Sequence, residues 1–69
     1  MYWEWMPKFR GEEVILTVWV AHDHLKVVEF FNNENEDLLP SITDKDLDDL
    51  WQMWNDTQKY RGMIGRQLR

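Results

Sequence analysis

The first part of the chain follows the two-residue period of β-strands. Over residues 2–10, Trp3, Trp5 and Phe9 share one face, and mostly polar residues occupy the other. Such alternation is typical of a half-buried strand. Pro7 cannot donate to a β-ladder, so we expect this strand to lie at a sheet edge or to break at Pro7.

Two more strands are predicted after the first. Residues 13–21 are rich in β-branched and aromatic side chains and apolar on both faces, as expected of a central strand. Residues 25–31 form the third strand, after a candidate turn over residues 21–24. Because Gly11 also marks a turn and both connections are short, the three strands should form an antiparallel meander.

The second part of the chain predicts an acidic loop, one helix and a basic tail. We expect a mobile loop over residues 32–42 and a helix over residues 44–61, with residues 62–69 as the tail. Thr43 can act as the N-cap, with Asp46 at the third helical position. The apolar stripe of the helix is Leu47, Leu50, Trp51 and Trp54. The prediction is a single α+β domain over residues 1–69, with one helix on one face of a three-stranded meander (β-β-β-α).

Composition narrows the class of protein. The chain has 69 residues, no cysteine and a formal net charge of -5. The absence of cysteine excludes disulfides and thiolate zinc sites, and 43% hydrophobic content argues against a disordered tail. Neither a secretory signal nor an apolar run long enough to span a bilayer is visible, so we expect a cytoplasmic protein without membrane association.

The predicted sheet has more apolar surface than one helix can cover. In the central strand, Val14, Leu16 and Val18 point to one face, whereas Ile15 and Trp19 point to the other. Strict alternation in the third strand puts Leu25, Val27 and Phe31 on one face and Val28 and Phe30 on the other. Either a β-bulge, the tail or strand coiling covers the second face, or that face binds another chain.

The acidic residues suggest how such a partner would be recognised. Eight carboxylates and a single base, Lys45, lie between Glu29 and Asp49. This is either a solvated surface or a set of charges presented to a basic partner. We expect a small acidic protein-binding module that regulates or inhibits a larger protein; a phage- or plasmid-type inhibitor of a nucleic-acid-processing enzyme would fit. The predicted contacts are Tyr2, Trp19, Phe30 and Met53, with Glu34, Glu36 and Asp37 at the rim.

Two alternative functions remain open. A structural homo-oligomer would pair the uncovered face or an edge strand with itself. Single-stranded nucleic acid would stack on aromatic side chains beside the basic tail, although the acidic net charge repels phosphate. The residues predicted for that alternative are Tyr60, Arg61, Arg66 and Arg69.

Catalytic and metal-binding patterns are weak. Ser41 precedes the predicted helix, where helix initiation explains it, and no glycine-rich phosphate loop is present. His22 and His24 could point to the same side, but two histidines in a turn are usually plain turn residues. The loop after Asn32 lacks the glycine and glutamate positions of an EF-hand. We therefore expect no enzymatic activity, no cofactor and no metal.

Overall fold

The computed structural model describes the backbone of residues 1–61 and 66–68 and the side chains of residues 1–56. The described chain forms an antiparallel sheet with one helix on one face, which confirms the predicted α+β class. The elements are β1 (Tyr2–Trp5), β2 (Lys8–Phe9), β3 (Glu12–Val20), β4 (Leu25–Asn32), a 3₁₀ turn (Leu39–Ser41), α1 (Asp44–Arg61) and β5 (Arg66–Leu68).

Strand β3 is the centre of the sheet, as its apolar composition predicts. It pairs with β1 and β2 on one side and with β4 on the other. The strand predicted over residues 2–10 is broken between β1 and β2, at the position of Pro7. The sheet is also wider than the meander because β5 pairs antiparallel with β1. The hydrophobic pattern of the tail does not predict this strand.

A two-residue turn joins β2 to β3. Arg10 (φ 55°) and Gly11 (φ 81°) both adopt left-handed backbone conformations between the paired residues Phe9 and Glu12. Positive φ at both central positions is the geometry of a type I′ turn, which matches the twist of a hairpin. From this turn the Arg10 side chain reaches over the rings of Phe9 and Phe30 to the start of the helix.

A β-bulge in β4 changes which of its side chains are buried. Val18 pairs with Val27 and Thr17 pairs with Glu29, so Val28 is an extra residue between two regular pairs. After an extra residue the alternation of faces is reversed. Consequently Phe30 is fully buried, and the prediction that it lies on the uncovered face is wrong.

The helix begins as the sequence predicts. Thr43 Oγ1 accepts a hydrogen bond from the Asp46 amide (3.1 Å), and an Asp46 carboxylate oxygen accepts one from the Thr43 amide (3.0 Å). This is a capping box with aspartate in place of the usual glutamate. It satisfies two backbone donors that the first helical turn leaves without a helical partner.

Arg10 joins the β2–β3 turn to the capping box. Its guanidinium donates to Asp46 at 2.6 Å and to the Ser41 hydroxyl at 2.8 Å, and it lies over the Phe30 ring at 5.2 Å from the centroid. The hydrogen bond from Arg10 holds the pKa of Asp46 below its ordinary value, and the bonds within the capping box act in the same direction. One end of the helix is thus attached to the sheet by charge as well as by packing.

Aromatic packing fixes the middle of the helix on the sheet. Trp54 makes edge-to-face contacts with Trp3 and Trp5 of β1, at centroid distances of 5.5 Å and 5.3 Å. Edge-to-face geometry is favoured because the positive ring edge meets a negative ring face. The buried core comprises Trp3, Trp5, Phe9, Val14, Leu16, Val18, Leu25, Phe30, Leu50 and Trp54.

Hydrogen bonds connect the residues of the acidic loop to one another and to β4. Asn32 is buried, and its side-chain oxygen accepts hydrogen bonds from the amides of Glu34 (2.9 Å) and Glu36 (3.0 Å). Asn35 takes a positive φ of 61°, which asparagine tolerates better than most residues. The loop then returns along β4, where the Leu38 amide donates to the carbonyl of Phe30 (2.8 Å).

Candidate interaction surface on the open face of the sheet

The helix covers only one face of the sheet. The other, which we call the open face, carries the outward side chains of β1, β3 and β4, and no described element packs on it. Its apolar members are partly or largely accessible, unlike those of the core. The open face comprises Tyr2, Glu4, Ile15, Thr17, Trp19, Lys26, Val28, Glu29 and Phe31.

Strand register arranges these side chains in rows. Trp19 of β3 is paired with Tyr2 of β1 on one side and with Lys26 of β4 on the other. Side chains that are directly opposite on one face lie about 5 Å apart at Cβ, so these three residues are neighbours. The sequence separates them by as many as 24 positions, and only the pairing brings them together.

The row around Trp19 surrounds an open depression of about 560 Å³. Tyr2 and Trp19 provide its aromatic surface, and Val28 adds an aliphatic side chain that is 39% exposed. Exposed apolar surface of this kind is typical of sites that another molecule covers. Its lining residues are Tyr2, Trp19, His24, Lys26, Val27 and Val28.

The polar edge of the depression contains one lysine and one histidine. Lys26 is exposed and has no ion pair among the described side chains. The ring of His24 lies 5.5 Å from that of Trp19, and its Nδ1–H donates to Asp23 (3.0 Å). This hydrogen bond lowers the pKa of Asp23 from its ordinary value. An acidic chain therefore carries a lysine without an ion pair among the described side chains, next to the aromatic side chains of its open face.

The next row of the open face is acidic. Glu29 is exposed and accepts a hydrogen bond from the hydroxyl of its cross-strand neighbour Thr17 (3.1 Å). Val28, the extra residue of the bulge, lies between Lys26 and Glu29 along β4. Opposite charges thus lie on either side of an exposed apolar side chain, along the outer strand of the open face.

Two of the four predicted apolar contacts lie on this surface. Tyr2 and Trp19 are adjacent across β1 and β3. Phe30 belongs to the core, and Met53 is partly buried against that core, so neither contributes to the open face. Simple alternation assigned Phe30 to the wrong face of the sheet because the bulge is not visible in the hydrophobic pattern. Lys26 and Val28 were not predicted as contacts, although their exposure makes them part of the surface.

The predicted acidic rim lies at the other end of β4. Lys26 lies six positions before Asn32, where the acidic loop begins, which corresponds to roughly 20 Å of strand. Within the loop, Glu36 accepts a hydrogen bond from the Asn32 side chain (3.0 Å), and Asp37 accepts one from the Leu39 amide (3.0 Å). Glu36 and Asp37 therefore stabilise the loop locally, and together with Glu34 they lie away from the depression.

The residues predicted for nucleic-acid binding are only partly described. Tyr60 and Arg61 lie in the last turn of α1, and Arg66 lies in β5 opposite Glu4. Their side chains, and Arg69 as a whole, lie outside the described residues.

The described part of the chain contains neither a candidate metal site nor a candidate membrane-spanning helix. No group of three or more His, Cys, Asp or Glu side chains there is arranged to hold a metal ion. Among the described helices, none has both the length and the apolar character needed to cross a membrane.

Comparisons with known proteins do not assign the chain to a family. No protein-family model, curated protein or solved structure matches the chain.

Proposed function

We propose that this protein is a small non-enzymatic binding module that contacts a larger protein through its open face. The observation that supports this proposal is the adjacent pair of Tyr2, which is exposed, and Trp19, which is partly buried, beside the depression on the face opposite the helix. Large aromatic side chains dominate the energetics of protein interfaces because they bury much apolar area with few rotatable bonds. The domain core does not require these two side chains, since it is formed on the other face.

The proposed role is regulation or inhibition of that partner in the cytoplasm. A 69-residue chain can occupy a surface of another protein and so block or alter its activity. The net charge of -5 favours a partner with a basic surface, such as a nucleic-acid-processing enzyme of the kind that phage or plasmid proteins inhibit. Lys26 at the edge of the depression would meet an acidic group on that surface.

The first test is affinity capture from nuclease-treated lysate of the source cells. The wild type is compared with Trp19→Ala, which removes the central aromatic side chain, and with Ile15→Ala. Ile15 is a matched control because it lies on the same strand and face but does not line the depression. We expect one larger protein to be retained by the wild type and by Ile15→Ala and lost from Trp19→Ala.

Footprinting of the captured complex locates the interface. Oxidative labelling should show protection of Tyr2 and Trp19 on binding, whereas the buried Trp3, Trp5 and Trp54 should label weakly with or without the partner. Near-UV circular dichroism of Trp19→Ala confirms that this variant is folded. Equal retention of the larger protein by wild type and folded Trp19→Ala would refute the proposal.

A further inference from the structure

We infer that, in the absence of a larger partner, the open face binds a second copy of this chain in a two-fold dimer centred on the bulge in β4. The dimer would cover the surface proposed for the larger partner, and in that respect the inference rests on the proposed function. Its occupant is different, however, and is identified by the distribution of charge on the open face itself.

Two charged side chains of the open face, Lys26 and Glu29, are complementary to each other. Lys26 pairs with Trp19 and Glu29 pairs with Thr17, so the two charges belong to neighbouring rows on the same strand. In the proposed dimer, the two-fold axis lies parallel to the sheet, perpendicular to the strands and between these two rows. Rotation about this axis places each row of one copy opposite the other row of its partner. Lys26 of one copy then faces the partner's Glu29, and the same contact is repeated on the other side of the axis, as an isologous interface requires.

The apolar side chains fit the same symmetry. Val28 lies between the two rows, so it is close to the axis and meets the partner's Val28. Each Trp19 lies over the partner's Thr17, whose side chain is small. Val28 is 39% exposed in the isolated chain, and the dimer would bury it without any change in the sheet.

Pairing through the edge of β4 is a poorer alternative. The bulge interrupts the ladder in the middle of this strand, and Lys26 places a charge near its beginning. At its end, the acidic loop already occupies the edge, where the Leu38 amide donates to Phe30 and the Asn32 amide donates to Glu36. Bulges, edge lysines and covering loops are devices that prevent strand addition. Self-association through the edge of β4 is therefore disfavoured.

The size of the face predicts a weak dimer. The molecule extends 29 × 23 × 22 Å, so one face offers roughly 600 Å² per copy, near the lower limit for a specific interface. A small domain without disulfides also has little stability of its own, and association is one of the ways in which such domains gain more. We expect a reversible equilibrium in which a tighter partner displaces the second copy.

Analytical ultracentrifugation of the purified chain over a wide range of concentration tests the dimer. Lys26→Glu and Glu29→Lys each place like charges opposite one another twice per dimer, so each should weaken association at least about tenfold. The double variant exchanges the charges and should restore association to near the wild-type value. Lys45→Glu makes the same charge change as Lys26→Glu on an exposed helical side chain and should leave association unchanged.

Val28→Glu provides a second test that does not depend on charge pairing. Two carboxylates would meet near the axis, and association should be lost while circular dichroism remains that of the folded domain. A wild type that is monomeric at every concentration would refute the inference. So would a dimer that tolerates Val28→Glu, or one in which the exchanged charges fail to restore association.

The two proposals can fail separately. A monomeric chain that still retains a larger protein through Trp19 refutes the dimer and leaves the proposed function in place. A dimer with the expected charge dependence, combined with no Trp19-dependent capture, supports the inference and contradicts the proposed function. If both hold, added larger partner should dissociate the dimer in the ultracentrifuge.

Discussion

The two faces of the sheet use tryptophan in different ways. On the covered face, Trp3 and Trp5 are buried and contact the indole of Trp54 edge to face, so each ring has neighbours that hold it in place. On the open face, Trp19 is only partly buried, and its neighbours Tyr2 and His24 are both exposed. The same residue type thus supports the fold on one face and remains available to another molecule on the other.

The two faces have similar apolar composition, and they differ in how much of that apolar surface is exposed to water. Both faces carry aliphatic and aromatic side chains, but the helix removes only one set from water. Burial of an apolar side chain contributes to stability in proportion to the area that leaves water. We therefore expect substitutions on the covered face to act on folding and substitutions on the open face to act on association.

The largest expected difference in the free energy of unfolding is between alanine variants of two adjacent phenylalanines. Phe30 is fully buried on the covered face, whereas Phe31 is partly exposed on the open face. Phe30→Ala should cost about 3–5 kcal/mol, enough to unfold a domain of this size. Phe31→Ala should cost only about 1 kcal/mol. Urea unfolding followed by circular dichroism measures both. The reverse order would show that β4 has no bulge and that its residues alternate regularly.

A smaller effect is expected where the helix meets β1. Trp54→Leu keeps much of the buried volume but removes both edge-to-face contacts, and it should lower the free energy of unfolding by about 2 kcal/mol. Trp51→Leu is the control on the same helix, since Trp51 is only partly buried. That variant should lose less than half as much stability in the same urea experiment. Equal losses would mean that aromatic geometry contributes nothing specific at Trp54.

The link between Arg10 and Asp46 should give a pH-dependent effect. Because the folded state lowers the pKa of Asp46, its contribution to stability is complete above the ordinary pKa of an aspartate. The contribution is lost as the pH falls through the lowered value. Asp46→Asn should therefore cost about 1 kcal/mol at neutral pH, and the difference from wild type should shrink towards strongly acidic pH.

Urea midpoints measured at a series of pH values test this dependence. Asp49→Asn is the matched control, because the exposed pair of Asp49 with Lys45 contributes little to stability. That variant should stay within about 0.5 kcal/mol of wild type. A constant difference between Asp46→Asn and wild type at all pH values would show that the charge of Asp46 has no role.

Local signals in the sequence were sufficient for the helix and for the order of the main strands. Thr43 and Asp46 form the predicted capping box, and α1 has the predicted bounds of residues 44–61. The break in the first strand occurs at Pro7, which lacks the amide that a ladder requires. Each of these features depends on residues close together in the chain, and for that reason the sequence could predict them.

Non-local features were not predictable in the same way. The bulge at Val28 depends on how β4 registers against β3, and nothing in the local composition marks it. This one residue moved Phe30 from the predicted surface to the core. Similarly, Lys26 became part of the candidate surface because it pairs with Trp19 across the hairpin, and only the register shows that pairing.

The smallest expected change in the free energy of unfolding is that of Trp19→Ala, which is compared with Trp3→Ala on the opposite face of a neighbouring strand. Trp19→Ala should change the free energy of unfolding by no more than about 1 kcal/mol when measured at low protein concentration, because its side chain lies outside the core. Trp3→Ala removes a buried ring and is the destabilising control, with an expected cost of about 3–5 kcal/mol. At high concentration, the wild-type melting temperature should rise because association stabilises the folded state, and that of Trp19→Ala should stay constant. Unfolding of Trp19→Ala at low concentration would place this ring in the core, and the distinction between the two faces would then be wrong.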